Sequence, residues 1–357
     1  MAEERTVQTV VVGAGQAGLA VGYHLTRHGH EVVLLDAAEA VGDSWRARWD
    51  SLRLFTPAGF DSLPRLPFPG RRSHHPSKDA VAAYLAGYAE HFALPVQLGT
   101  RVQAVHREGE EYVVTTDRGR WRAGDVVIAT GAHHTPSVPA FADQLDPGLV
   151  QLHPAGYRRP AQLPAGPVLV VGAGNSGAEI ALDLTTDPID RRAVHLAGRD
   201  VGHIPSLGPW TFHVLQRLGR PAAALARRCL GGHGDPLGRI RPGQLESAGV
   251  RRHPRVTGVR NGMPLLADGR TLTVTAVLWA TGFHPDYRWL HLDALGPDGM
   301  LRHRGGVVEN CPGLYAAGLP YQRSATSHLL GGVGADARYV VDHLLARARR
   351  RHRALTG

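Results

Sequence analysis

The residues in this chain best suited to chemistry are glycines. Gly13, Gly15 and Gly18 stand in GxGxxG spacing within GAGQAG, and Gly172, Gly174 and Gly177 repeat that spacing within GAGNSG. In such a motif the first glycine permits a tight turn out of a strand. The second lets the backbone approach a pyrophosphate, and the third lets the following helix pack on the sheet. Gln16 and Ala17, and later Asn175 and Ser176, then open a helix whose backbone amides and macrodipole favour an anion. Each motif therefore reads as a cradle for the diphosphate of a dinucleotide. Asp36 ends the strand after the first motif, where a carboxylate accepts from an adenosine ribose hydroxyl. No acid closes the strand after the second motif, where the chain reads Ala197, Gly198, Arg199. A guanidinium there can hold a 2′-phosphate bidentately, which favours NADPH over NADH. The competing reading is a solvated arginine beside Asp200.

These glycines need strands and helices to aim them. Thr9–Val12 is a short apolar strand, a helix follows to about Arg27 with Gly29 ending it, and Glu31–Asp36 is a second buried strand. The second half repeats the pattern with Val168–Val171, a helix to about Leu184, and Ala193–Ala197. Each half closes on a related strand and turn, Asp125–Gly131 and Ala276–Phe283. Lys78–Phe92 has helical spacing with Ser77 as its N-cap, and Val102–His106, Tyr112–Thr116 and Arg120–Arg122 form a meander. Trp45–Gly70 reads as a long ordered loop, and a last helix spans about Asp336–Arg350. Residues 203–244 are rich in Pro, Gly and Arg around an apolar helical stretch, Trp210–Leu230, and read as an insertion, a lid or a dimer-contact helix.

Composition narrows the classes further. The chain has 357 residues, 43% of them hydrophobic, enough for two domains with real cores. A net charge of +9 suits a nucleic-acid partner, yet Lys78 is the only lysine and the excess is arginine in an Ala-, Gly- and Pro-rich chain. The densest cluster, Arg347–Arg353, ends a helix, where cations favour the macrodipole. No nucleic-acid partner is expected. No apolar run approaches the roughly 18 residues of a membrane span. The acidic start MAEERTVQ leads at once into a strand, so no secretory signal and a cytoplasmic location are expected. Cys229 and Cys311 form no CxxC, which argues against a dithiol relay. His74–His75 and His133–His134 have no partner pair at helical spacing, so no metal is expected.

Beyond these residues the sequence carries GDSW (Gly42–Trp45), RWDSLRLFTP (Arg48–Pro57), LPFPG (Leu66–Gly70), ATGF (Ala280–Phe283), PGLYAAG (Pro312–Gly318) and LLGGVGADA (Leu329–Ala337). Together with the two glycine motifs, this set resembles the class B flavin-containing monooxygenases, most of all the branch with the plant auxin-forming enzymes and their bacterial relatives. The resemblance covers nearly the whole chain. It implies that Gly13, Gly15, Gln16, Ala17, Gly18 and Asp36 hold the adenosine diphosphate of FAD. It places Gly42, Ser44 and Trp45 along the flavin, with Val102 as a further contact. Thr130 and Gly131 then line the pyrophosphate end, while Gly318, Leu330 and Gly331 approach the isoalloxazine. Gly172, Gly174, Asn175, Ser176 and Gly177 would hold the nicotinamide dinucleotide, with Ala280, Thr281 and Gly282 beside it. The family fingerprint FxGxxxH is followed, after three residues, by an aromatic. It corresponds to Pro147–Tyr157, which keeps His153 and Tyr157 but has Pro147 for Phe and Leu149 for Gly. Many members also carry Asn where this chain has Phe55.

The expected fold is α/β with two Rossmann-like dinucleotide-binding domains, the second nested in the first. Their expected extents are 1–160 plus 285–357 for FAD and 161–284 for NADPH. The expected reaction is NADPH- and FAD-dependent monooxygenation of a small organic substrate by O2, at nitrogen, sulfur or a carbonyl carbon. An NADPH oxidase or reductase releasing hydrogen peroxide, and a redox-sensing flavoprotein, stay open at this point. Because the cofactor carries the chemistry, no side chain is nominated as acid, base or nucleophile. A homodimer is compatible with the sequence.

Overall fold

Val10, Val11 and Val12 are a β-branched run with no polar face, which suits a strand covered on both sides. In the computed structural model, which describes residues 4–186, 192–204, 208–219 and 236–356, they end the strand Glu4–Val12 at the centre of a nine-stranded mixed sheet. Val32–Leu35 and Gly119–Ile128 flank it in parallel register. Val96–Gln97 and Leu314–Ala316 continue the parallel ladder on either side. Short antiparallel strands, Val307–Val308 and His303–Arg304, finish one edge.

The expected meander is present as Val102–Glu108 and Glu111–Thr116 running antiparallel beside Gly119–Ile128. The last of these unites two stretches that the sequence reading kept apart. Its Gly119–Ala123 half pairs with the meander, and its Val126–Ile128 half pairs with Leu314–Ala316. At the change of partner, Arg347 Nη1 donates to Asp125 Oδ1 at 2.9 Å. That contact docks the last helix, Val333–Thr356, which extends beyond the expected limits at both ends. With Gln16–Arg27 and Lys78–His91, it covers one face of the sheet.

A second, five-stranded sheet is parallel throughout, in the order Arg251–His253, Val194–Ala197, Val168–Val171, Ala276–Trp279, Val150–Leu152. Helix Asn175–Thr185 packs on one face. The hairpin Val256–Arg260 and Met263–Leu266 covers the other. Val150–Leu152 belongs to this sheet although the expected domain boundary lay at 160. It is a short edge strand with an exposed first residue, so no apolar run announces it. The chain crosses between the sheets where Thr135–Pro136 meets Phe283–His284 in a two-stranded ribbon.

The long loop 45–70 is ordered by helix Lys78–His91, which Ser77 caps by accepting from Ala80 N. Tyr84 Oη accepts from Leu63 N at 2.7 Å and donates to Leu66 O at 2.6 Å, while Tyr88 Oη donates to Pro64 O. Helix Pro209–Arg217 rests on this loop, its Phe212 ring stacked 5.1 Å from Phe60. Of the expected apolar stretch Trp210–Leu230, residues 220–230 lie outside the described residues.

The loop also buries a carboxyl group. Asp61 is fully buried and accepts from Thr56 Oγ1 at 2.7 Å, while its Oδ2 has no hydrogen-bond partner among the described residues. Burial outweighs that bond and raises its pKa to about 7. Above its unfolded pKa of roughly 3.9 the unfolded chain releases the proton that the folded chain keeps. The stabilising contribution of the protonated form is therefore complete at low pH and is lost as pH rises from about 4 to 7. Asp61→Asn removes this dependence. Its stability relative to wild type should rise over that range by up to about 4 kcal/mol and level off above it. Urea denaturation of both proteins from pH 4 to 8 checks this, and a pH-independent difference would refute it.

Candidate functional site

The two glycine turns are close geometric copies. Gly13 has φ +104° and Gly172 φ +105°. A Cβ on Gly13 would stand 2.7 Å from Ala129 O, and one on Gly172 2.2 Å from Ala280 O, so the loop after a neighbouring strand crosses each turn. Gly18 and Gly177 bring each helix against its turn, where a Cβ would lie 1.9 Å and 1.8 Å from the carbonyl oxygens of Gly13 and Gly172. Gly15 and Gly174 are different. Their φ of −74° and −75° suits any residue, and a Cβ on either would meet nothing within 4 Å. Neither backbone nor packing calls for glycine at these two positions. The open space lies at a helix N-terminus, where a bound diphosphate would need it, so the residues fit such a group.

Around the first turn the structure gathers most of the expected contacts. Asp36 is held at its lip, with Oδ2 accepting from Ala14 N at 2.7 Å and Oδ1 from Ala38 N at 2.9 Å. A carboxylate keeps further lone pairs for a ribose hydroxyl. Gln16 accepts from Trp45 Nε1 at 3.3 Å and donates to His328 O at 3.0 Å. Gly42, with φ +94°, starts the one-turn helix Asp43–Arg46 that presents Ser44 to solvent and leaves Trp45 half-buried. A Cβ on Gly318 would lie 2.7 Å from Ala17 Cβ, and one on Gly331 1.8 Å from Phe60 O. Gly131 follows Thr130 with φ +76°, and Leu330 is buried. The Thr130 hydroxyl is buried beside Gly13 with no hydrogen-bond partner among the described residues, an orphaned donor of the kind a phosphate satisfies. Val102 stands further off, two residues after Thr100, whose amide donates to Asp36 O.

Around the second turn Asn175 is committed to the chain itself. Its Nδ2 donates to Pro236 O and its Oδ1 accepts from Gly238 N, both at 3.1 Å. Ser176 is exposed. Gly198 occupies the place of Asp36, where a Cβ would come within 2.8 Å of Ala173 N. Arg199 is exposed and makes no hydrogen bond or ion pair with the described residues. Asp200 is turned away from it, accepting from Gly202 N at 2.9 Å. Ala280 lies against Gly177, Thr281 Oγ1 donates to Ser137 O, and Gly282 O takes a hydrogen bond from His153 Nε2 at 2.9 Å.

The loops at the carboxyl ends of both sheets bring together four side chains that the sequence reading did not group: Arg48, His133, His153 and Phe283. The Arg48 guanidinium lies 5.3 Å from the Phe283 ring centre. Phe283 meets His133 and His153 edge to face, at 5.1 and 4.6 Å. Burial first, and Arg48 second, hold His133 down at about 4. Burial lowers His153 as well, against the pull of the Gly282 carbonyl. No spacing rule links four residues from four separate loops. The fingerprint residues have structural work here: His153 also accepts from Ala155 N at 3.2 Å, and buried Tyr157 donates to Asp183 Oδ2 at 2.6 Å on helix Asn175–Thr185. Phe55 packs against Gly238, in the segment Asn175 clamps. Among the described residues no cluster has the makings of a metal site, and no helix is long and apolar enough to cross a membrane.

This arrangement has counterparts. The family described as pyridine nucleotide-disulphide oxidoreductase matches residues 10–217. A protein of Geobacillus kaustophilus (strain HTA426) named uncharacterized oxidoreductase CzcO-like is 38% identical, over 96% of this chain and 99% of the relative. The probable indole-3-pyruvate monooxygenase YUCCA7 of Arabidopsis thaliana is 30% identical over 92% of this chain and 85% of that one. The solved flavin-containing monooxygenase of Stenotrophomonas maltophilia superposes with a TM-score of 0.79 at 30% identity, covering 96% of this chain and 99% of that chain. The chain belongs to the pyridine nucleotide-disulphide oxidoreductase family, in its branch of flavin monooxygenases, and is a flavin-dependent oxidoreductase.

Proposed function

We propose that the protein is an FAD- and NADPH-dependent monooxygenase that passes one oxygen atom of O2 to a small organic substrate. The observation that carries this reading is the pair of matched glycine turns with unlike lips: Asp36 beside one, Gly198 and Arg199 beside the other. On this reading the nine-stranded sheet is the FAD-binding module and the five-stranded parallel sheet the NADPH-binding module, with the boundary near residue 137 rather than 160. Gly13, Gly15, Gly18 and Asp36 hold the adenosine diphosphate of FAD, and Thr130 donates to its pyrophosphate. Gly172, Gly174 and Gly177 hold NADPH, and Arg199 pairs with its 2′-phosphate in the space a carboxylate would otherwise fill. When bound, the flavin supplies the redox chemistry, taking a hydride from the nicotinamide and reducing O2. The side chains orient and shield: Phe55 and Phe283 exclude water, and His133, neutral near pH 7, adds no charge to the crevice. A second reading, an NADPH oxidase, is favoured by Phe55, which offers no hydrogen-bond donor where many relatives carry Asn.

Labelled O2 separates the two. During NADPH turnover with a substrate panel, oxygen-18 should enter a product. Stoichiometric labelled hydrogen peroxide with no labelled product would instead establish the oxidase. The two turns can be separated by mutation. Gly15→Val should fold but lose FAD, while Gly174→Val should keep FAD and lose nicotinamide dinucleotide binding, as read by flavin absorbance and titration calorimetry. Retained FAD in Gly15→Val would refute the assignment. Arg199→Ala should weaken NADPH about ten- to a hundredfold, the equivalent of one charge-assisted hydrogen bond, and leave NADH nearly unchanged. An equal loss for both nucleotides would assign Arg199 a structural role.

A further inference from the structure

Arg48 carries a charge that the described residues do not balance. Its guanidinium forms no hydrogen bond and no ion pair with them, and lies over the face of Phe283, 5.3 Å from the ring centre. The charged and titratable groups facing it are His133, after strand Gly119–Ile128, and His153 and Arg158, both on the segment after Val150–Leu152. None is a carboxylate. Asp50, two residues along, is turned toward Lys78 and Arg159, 3.9 Å from each. Burial and Arg158 together work against the charge on Arg48, yet a guanidinium does not give up its proton in proteins. A partly dehydrated cation without a counter-ion is costly, and an arriving anion relieves that cost.

Its position says where such an anion comes from. Arg48 sits among the loops at the carboxyl ends of both parallel ladders, beside Phe283 after Trp279 and His133 after Ile128. That is the crevice where open α/β sheets bind ligands. We propose that Arg48 is the anion anchor of this crevice, gripping an oxyanion of the ligand that enters between the two glycine turns. The oxyanion is either a carboxylate of the substrate or a phosphate of the nicotinamide dinucleotide. The planar fork suits either one, and the flat wall of Phe283 suits an aromatic or conjugated group next to it. The inference rests on the functional reading above, because it takes the crevice to be the place where nucleotide and substrate meet.

Titration calorimetry on flavin-loaded wild type, Arg48→Gln and Arg48→Lys tests it with four probes: NADP+, 2′,5′-ADP, phenylpyruvate and phenylpyruvate methyl ester. Arg48→Gln should weaken NADP+ or phenylpyruvate about ten- to a hundredfold, and which of them weakens identifies the source of the oxyanion. 2′,5′-ADP, which lacks the pyrophosphate, and the uncharged ester should stay within about twofold of wild type. Arg48→Lys keeps the charge and loses the fork, so its loss should be intermediate, and it carries the test if the Gln variant does not fold. The proposal is overturned by unchanged NADP+ affinity together with phenylpyruvate that binds not at all, or equally to all three proteins. It is also overturned by equal losses for acid and ester, which mark a packing role. Wild type that holds no flavin or does not bind 2′,5′-ADP would overturn the functional reading itself, a result distinct from either.

Discussion

The contact on which the rest of the structure depends is the one between each helix and the glycine turn behind it. At Gly18 and Gly177 the helix lies so close to its turn that a single Cβ would stand under 2 Å from a carbonyl oxygen. That approach fixes the helix axis against the sheet and points its N-terminus into the space beside Gly15 or Gly174. Everything proposed for the diphosphates follows from that aim, because free backbone amides bind an anion only where they face it. The first and third glycines of each motif therefore answer to the chain's own packing. The second answers to nothing within the protein.

Two turns built alike are told apart by one position. Where the first sheet places Asp36, with its carboxylate bonded to Ala14 N, the second places Gly198 against Ala173 N. A carboxylate at the lip accepts from a ribose hydroxyl and repels a 2′-phosphate. On the proposed reading its absence leaves room for that phosphate, with Arg199 exposed alongside. The orientation of Asp200 toward Gly202 matters for the same reason, since a carboxylate turned to Arg199 would have neutralised it.

Much of this was legible in the sequence because the glycine motifs are local. Strand, turn, helix and closing residue follow one another within a short span, so spacing reports geometry. The matched φ values at Gly13 and Gly172 agree with that reading of the turns. What the sequence hid depends on contacts between distant segments. Val150–Leu152 joins the second sheet only because Ala276–Trp279 offers it an edge, and its own residues are half exposed. Gly119–Ile128 reads as two strands because its partners change midway. Loop 45–70 has no regular pattern, and its order comes from tyrosine hydroxyls on a helix that starts later in the chain. Arg48 was in view only as the first residue of the motif RWDSLRLFTP, with no role attached to it. Its isolation from the carboxylates of the described residues comes from four loops converging, which no spacing within one of them records.

The contacts that hold the two halves together come from loops of both. Asn175 clamps residues 236–238, on which Phe55 of the first half packs. Phe212 stacks on Phe60, and Gln216 reaches the carbonyls of Gly331 and Gly332. The ribbon of Thr135–Pro136 with Phe283–His284 ties the two crossing strands. Most of these links join a side chain to a backbone group or a ring to a ring. Among these loops stand Arg48, Phe283 and two histidines, His133 and His153, whose pKa values burial lowers. Among the described residues no carboxylate pairs with Arg48 there. A cation left so is what the proposed anion anchor requires, because an unpaired, partly dehydrated charge favours an arriving anion.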